Sequence, residues 1–211
     1  MRSCPIIIVS GLPRSGTSLM MQMLEAGGLA ALTDGIRRSD ASNPKGYYEL
    51  EAVKQTRENA AWLDQAGGKC VKMISMLLYD LPPTRKYKIV FMARAMEEVL
   101  ASQAAMMEKL AGDPFASFGR KLRQQKVDGA VDKGPTDAEM RRYYEIHLQK
   151  LEKWLKEQGN IEVKYCEHKL VLERPEQQAR EIQQFLGVDL DIAKMAAAVD
   201  SSLYRQRRQE E

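Results

Sequence analysis

The feature that most constrains this chain is an octapeptide, Gly11-Leu-Pro-Arg-Ser-Gly-Thr-Ser18. It follows the β-branched run Pro5-Ile-Ile-Ile-Val9 and precedes Thr17–Ala26, a segment with apolar residues on all sides that stops at Gly27-Gly28. A short uninterrupted apolar run reads as a parallel strand buried on both faces. Paired glycines past a helical segment read as a C-cap. Strand, glycine loop and helix in that order make the first half of a βαβ unit. Amides of such a loop point inward, and the following helix adds partial positive charge, so the loop suits a phosphate or sulfate.

The two glycines have the spacing of the nucleotide phosphate loop, G-x-x-x-x-G-K-[ST], but Thr17 stands where that loop needs lysine. The one cation inside the loop is Arg14. What remains is an anion loop with an internal guanidinium and two hydroxyls, Thr17 and Ser18, at its exit.

The rest of the chain alternates in the same style. Tyr48–Trp62 reads as a helix, Cys70–Ile74 and Lys88–Ala93 as strands, and Met96–Leu110 as a helix. Residues 138–158 carry an apolar stripe of Met140, Tyr144, His147, Leu148, Leu151, Trp154 and Leu155. Ile161–Cys166 reads as a fourth strand. Pro175–Leu186 reads as a helix with Pro at its start and Gly187 past its end, and Asp191–Ala198 as a last helix before a basic tail at 203–208. Alternating strands and helices imply an α/β fold with a parallel sheet. At 211 residues the expectation is a single domain, 1–211, with the irregular stretch 112–136 as a candidate lid or acceptor loop.

Composition narrows the function classes. A net charge of +3 provides no bulk attraction for nucleic acid, so an anion site must be local. Three cysteines, Cys4, Cys70 and Cys166, none in a CxxC pair, argue against a disulfide framework and a zinc site and for a reducing compartment. No stretch reaches the length of a membrane span and no N-terminal leader is visible, so the expected location is cytoplasmic.

Pro13-Arg-Ser-Gly-Thr-Ser18 resembles the 5′-phosphosulfate loop, P-[KR]-[SA]-G-T-[ST], of sulfotransferases that use 3′-phosphoadenosine 5′-phosphosulfate (PAPS). A second match supports it. Lys88-Ile-Val-Phe-Met-Ala-Arg94 is similar to the family's strand ending in Arg, with Ser102 eight residues on, the pair that contacts the donor's 3′-phosphate. Arg is a fork-shaped donor suited to phosphate, and strand carboxyl ends are where α/β sheets bind ligands. Asn43–Glu49 resembles a segment of small bacterial members, Val71-Lys72-Met-Ile74 the strand carrying a donor-site Lys, and Val199–Arg208 the basic C-terminal segment. The resemblance spans most of the chain, residues 112–136 excepted.

The resemblance implies a P-loop NTPase-like three-layer fold, a central parallel sheet flanked by helices. It implies transfer of a sulfuryl group from PAPS to an acceptor hydroxyl, with PAP released and no metal. The donor site is Arg14, Ser15, Gly16, Thr17, Ser18, Arg94, Ser102, His168 and Arg205, and the catalytic set is Arg14, Glu49 and Lys72. Arg14 stabilises the sulfuryl group and the leaving phosphate, and Lys72 assists at the bridging oxygen. Two departures stand out: Ile74 occupies the position of the usual His base, and His168 that of a Tyr near the adenine. Glu49, after the Gly46-Tyr-Tyr turn, is the first choice of base; the alternative is a helix N-terminal Glu favoured by the dipole. His147 and His168 are weaker candidates. The expected partners are PAPS or PAP and a small-molecule, carbohydrate or lipid hydroxyl acceptor. A non-catalytic PAPS/PAP-binding protein and an ATP-dependent P-loop kinase stay open.

Overall fold

The computed structural model describes residues 4–36, 46–110 and 135–200. Four parallel strands, β1 (Ile6–Gly11), β2 (Cys70–Lys72), β3 (Tyr87–Ala93) and β4 (Ile161–Glu167), form one sheet in the order β2-β1-β3-β4. The register pairs Val9 with Lys72 on one side and with Val90 on the other, and Phe91 with Tyr165. The chain passes from β1 to β2 on one side and returns to β3 on the other. The crevice between the carboxyl ends of β1 and β3 is therefore the switch point where such sheets hold ligands.

Every residue of β1 is buried, and the period of two sorts its side chains between two cores. Ile7 and Val9 join Val90, Met92 and Cys166 in a cluster with α1 (Thr17–Ala26), α4 (His168–Glu173), α5 (Pro175–Leu186) and α6 (Ile192–Ala197). Ile6 and Ile8 join Val71, Ile89 and Phe91 on the opposite face, beneath three 3₁₀ helices (Glu51–Gln55, Ala61–Gln65, Ser75–Asp80) and α3 (Asp137–Glu157). The result is the three-layer α/β architecture expected. Full burial of a side chain of this size stabilises by about 1.5–3 kcal/mol, and Met20, Met21 and Met23 in α1 all reach 0% exposure. A third cluster, Leu12, Val99, Leu100 and Tyr144, fastens the loop after β1 to α2 (Met96–Leu110) and α3.

Local signals explain most boundaries. Thr136 and Glu139 form a reciprocal capping box at the start of α3. Pro175 opens α5, and Gly187 closes it in the left-handed region (φ 70°). One expected element is corrected: 48–62 is not a helix. Tyr48 takes a left-handed φ of 54°, and the segment resolves into the first two 3₁₀ helices. Thr56 Oγ1 donates to the Val53 carbonyl, Trp62 Nε1 donates to Thr56 Oγ1, and Asn59 Oδ1 accepts from the Ala61 amide. The first and last of these, between side chain and backbone, offer the main chain an alternative to the helix ladder. Cys70–Ile74 shortens to a strand ending at Lys72, and α4 is a helix that periodicity did not predict. The stretch 112–136 lies outside the described residues up to 134, as does the basic tail 203–208.

Candidate functional site

The loop after β1 is shaped by two glycines. Gly11 has φ 149°, and a Cβ there would sit 2.4 Å from Ser15 Oγ and 2.6 Å from the Met92 carbonyl oxygen. Gly16 has φ 97°, and its Cβ would meet the His168 ring at 2.4 Å. Neither site has room for a side chain, and both use conformations that L-residues rarely adopt. Arg14 is also left-handed, with φ 71°, a conformation uncommon for a residue with a Cβ. Arg94 Nη1 donates to the Arg14 carbonyl at 3.1 Å and holds that peptide in place.

The Arg14 side chain reaches away from its own loop. Its Nε donates to Ser102 Oγ at 3.1 Å, and its Nη1 lies 3.6 Å from Met106 Sδ. Arg94 pairs with Glu98 through Nε–Oε2 at 2.8 Å, with the two side chains 9% and 8% exposed. One cluster thus contains Arg14, Arg94 and Ser102, expected from sequence, together with Glu98, which sequence reasoning missed. The available signal was the four-residue spacing: Arg94 lies just before α2 and Glu98 in its first turn.

A second cluster forms on the β2 side. Lys72 Nζ donates to the Tyr47 carbonyl at 2.6 Å and to Ser18 Oγ at 3.3 Å, and sits 5.8 Å from the Tyr47 ring centroid. Glu49 follows two residues after Tyr47. Its carbonyl accepts from Thr33 Oγ1 at 2.8 Å, and Tyr48 Oη donates to Glu25 at 2.6 Å, so the segment is tied to its surroundings at several points. Tyr47 was also missed; its role runs through a backbone carbonyl, which no residue type signals.

Thr17 is buried and Ser18 half-buried in the first turn of α1. That helix has no side-chain cap hydrogen bond and no acidic residue in its first turn, which leaves its amide end suited to an anion. Ser15 is 1% exposed, and its Oγ finds no hydrogen-bond partner among the described residues. A buried hydroxyl of this kind costs stability unless a partner is supplied, and a loop that receives phosphate oxygens supplies one. The loop's composition and geometry therefore fit a phosphorylated ligand.

His168 lies beneath the loop, 7% exposed, against Gly16. Burial, reinforced by the Arg94 guanidinium and opposed by Glu98, pulls its pKa down to about 4, so the imidazole is neutral near pH 7. It forms a wall of the loop. Arg205 lies outside the described residues. The other histidine, His147, is half-buried on α3 with Nε2 2.9 Å from Ser75 Oγ. Among the described residues no helix is long and apolar enough to cross a membrane.

A family model described as a sulfotransferase domain matches residues 5–211. No curated protein matches the chain.

Proposed function

The chain belongs to the sulfotransferase-domain family, a family of sulfuryl-transferring enzymes, and from that premise we propose that it moves a sulfuryl group from PAPS to an acceptor hydroxyl. The observation that carries this reading is the contact of Arg14 Nε with Ser102 Oγ at 3.1 Å, beside Arg94 on the Arg14 carbonyl. Two motifs almost ninety residues apart meet in space, one suited to a 5′-phosphosulfate and the other to a 3′-phosphate.

In this reading Ser15, Gly16, Thr17 and Ser18 hold the 5′ end of the donor with their amides and hydroxyls, and Arg94 and Ser102 hold the 3′-phosphate. His168 supports the loop from below and borders the nucleoside side. Arg205 is the proposed closing contact from the C-terminal segment, and 112–136 the proposed lid or acceptor loop. PAPS supplies an activated sulfuryl group whose departure needs charge stabilisation.

Sulfuryl transfer shares with phosphoryl transfer a loose transition state with charge spread over equatorial oxygens. The protein's part is positioning and electrostatics. Arg14 offers a planar fork of donors to those oxygens. Lys72, held at the mouth of the loop by Ser18 and Tyr47, offers a point charge to the bridging oxygen. An acceptor hydroxyl must lose a proton, and Glu49 is the carboxylate proposed to receive it in the simplest form of this mechanism. The proposed setting is cytoplasmic, where cysteines stay reduced.

Calorimetric titration with PAP and, separately, with ATP plus Mg²⁺ tests the donor. The expected result is tight PAP binding with no ATP response. ATP binding without PAP binding would overturn the proposal and return the chain to the kinase-like P-loop proteins. Tight PAP binding with no transfer across a broad hydroxyl panel would mark a sensor.

A further inference from the structure

The two edges of the sheet are finished differently. β2 is three residues long, and the chain itself closes its outer edge. Ala31 bridges to Cys70, the Cys70 amide donates to the Ala30 carbonyl and the Leu32 amide to the Cys70 carbonyl, each at 2.9 Å. β4 is seven residues long, contains no proline, and among the described residues pairs with β3 alone. An edge strand of that length is a template for a further strand unless a bulge, a proline or a cover blunts it. Its polar main-chain groups can be sorted. The Tyr87 amide donates to the Asn160 carbonyl at 2.9 Å, and Tyr87 is the register partner of Ile161. In a parallel ladder a residue bonds to the two neighbours of its partner, so Glu162, Lys164 and Cys166 turn their peptide groups to β3. Ile161, Val163 and Tyr165 turn theirs to the open edge.

The side chains alternate between the two faces of the sheet. On the α3 face, Ile161 and Val163 are half-buried against the cluster of Ile89 and Phe91. Tyr165 lies on the same face, its ring 5.3 Å from that of Phe91, and is 51% exposed. On the α5 face, Lys164 reaches Glu181 at 2.9 Å and Glu162 is exposed. From 161 to 165 the strand therefore reads apolar, acid, apolar, base, aromatic. Turned end for end about Val163, that order complements itself: each acid meets a base, and each Ile meets a Tyr.

We propose that the β4 edge is a self-association surface, and that its occupant is β4 of a second copy of this chain, antiparallel and centred on Val163. In that register Val163 faces the partner's Val163, Ile161 faces the partner's Tyr165, and Glu162 faces the partner's Lys164. The pairs that face each other with outward peptide groups are 161 with 165 and 163 with 163, so each exchanges two main-chain hydrogen bonds, about six in all. Aromatic–β-branched and opposite-charge pairs both stabilise such a ladder. The adjacent registers that keep outward peptide groups opposed are centred on Glu162 or on Lys164. The first sets Glu162 against its own copy and the second sets Lys164 against its own, and like charges directly opposite are destabilising. Charge thus selects one register. The contact is isologous, the same patch serving both copies, and closes on itself as a two-fold dimer. The pairing reverses strand direction, so the loops after β1 in the two copies lie at opposite edges of one continuous sheet. The dimer stands independently of the donor reading.

Sedimentation of the full chain over a concentration series tests this, together with two charge variants. The unaltered protein should pass from monomer to dimer as concentration rises. Glu162→Lys and Lys164→Glu each set like charges face to face at both contacts, and each should weaken the dimer about tenfold or more. An equimolar mixture of the two variants should regain it, because every contact between 162 and 164 is then again between opposite charges. A second measurement needs neither variant. Directly opposed residues of a hydrogen-bonded pair lie about 5.5 Å apart at Cα, within disulfide reach. With the exposed Cys4 replaced by Ser, Val163→Cys should therefore give a crosslinked dimer on mild oxidation. A monomer at every concentration overturns the proposal. So does a dimer that both charge variants leave unchanged, or one that does not crosslink through position 163. Exchange-protected Val163 and Tyr165 amides in a protein that stays monomeric would assign the edge to another part of the same chain, and overturn it as well.

Discussion

The two flanks of the phosphate loop are built in different ways. On the β3 side, Arg94, Glu98, Ser102 and His168 are nearly or fully buried and interlocked by charge and by contact with the loop backbone. On the β2 side, 3₁₀ helices carry half-exposed aromatic groups: Tyr79 at 37% exposure meets Trp154 at 5.0 Å, and Tyr143 on α3 is 51% exposed. The first flank resembles a finished socket for one charged ligand. The second resembles a surface that can accept different partners. Enzymes that share one donor and differ in acceptor need that division, since function resides in sites grafted on a common scaffold.

The comparison is broken most severely at Arg94. Arg94→Ala breaks an ion pair whose side chains are 9% and 8% exposed, and breaking a buried pair costs about 3–5 kcal/mol. Denaturant unfolding should report a loss of that order, and calorimetry much weaker PAP binding. Unchanged PAP affinity would detach Arg94 from the 3′-phosphate. The double variant Arg94→Ala/Glu98→Ala should recover part of the stability and none of the affinity.

The next effect is pH-dependent. The folded protein holds His168 at about 4, while an unfolded histidine titrates near about 6.5. Between those values the unfolded chain binds more protons, so stability falls as the pH drops from about 6.5 to about 4 and is fully present above that window. The loss amounts to roughly 3 kcal/mol. His168→Phe should flatten this part of the stability–pH curve. A curve that stays steep in the variant would assign the acid sensitivity to another group.

The smallest effect belongs to the other flank. Tyr79→Ala should cost within about 1–2 kcal/mol of stability, since the ring is only partly buried and a tilted aromatic pair contributes about 0.5–1.5 kcal/mol. PAP affinity should not move, while discrimination among acceptors should. A drop in PAP affinity would show that the flanks are not separate.

The two flanks also differed in how far they could be read from residues alone. Gly11 and Gly16 were legible because no Cβ fits at either position, and the meeting of Arg94 and Ser102 with the loop because it follows a fixed spacing. The same held for α3 and α5, whose caps and apolar stripes agree with their ends. The segment 48–62 was misread because its apolar residues, Val53, Trp62 and Leu63, are buried by contact with the sheet and not by helical periodicity. Two side chain–backbone bonds then decided its course. The six-residue α4 starts directly from β4 without a side-chain cap, so no local signal marks it. The bond between Ser75 and His147 joins residues 72 positions apart, a distance over which no spacing rule operates.

The packing of His168 against Gly16 has a consequence for the order of assembly. The ring that completes the loop belongs to a residue made long after the loop itself, just after the last strand of the sheet. During synthesis the amino-terminal strand, loop and helix emerge early, yet their anion cradle lacks a wall until β4 has docked beside β3. Contacts of such sequence separation form slowly, because a long closure must precede them. The nascent chain therefore cannot display a complete loop cradle before residue 168 has left the ribosome. A fragment ending before residue 168 would carry the whole motif and still lack the cradle that the motif announces.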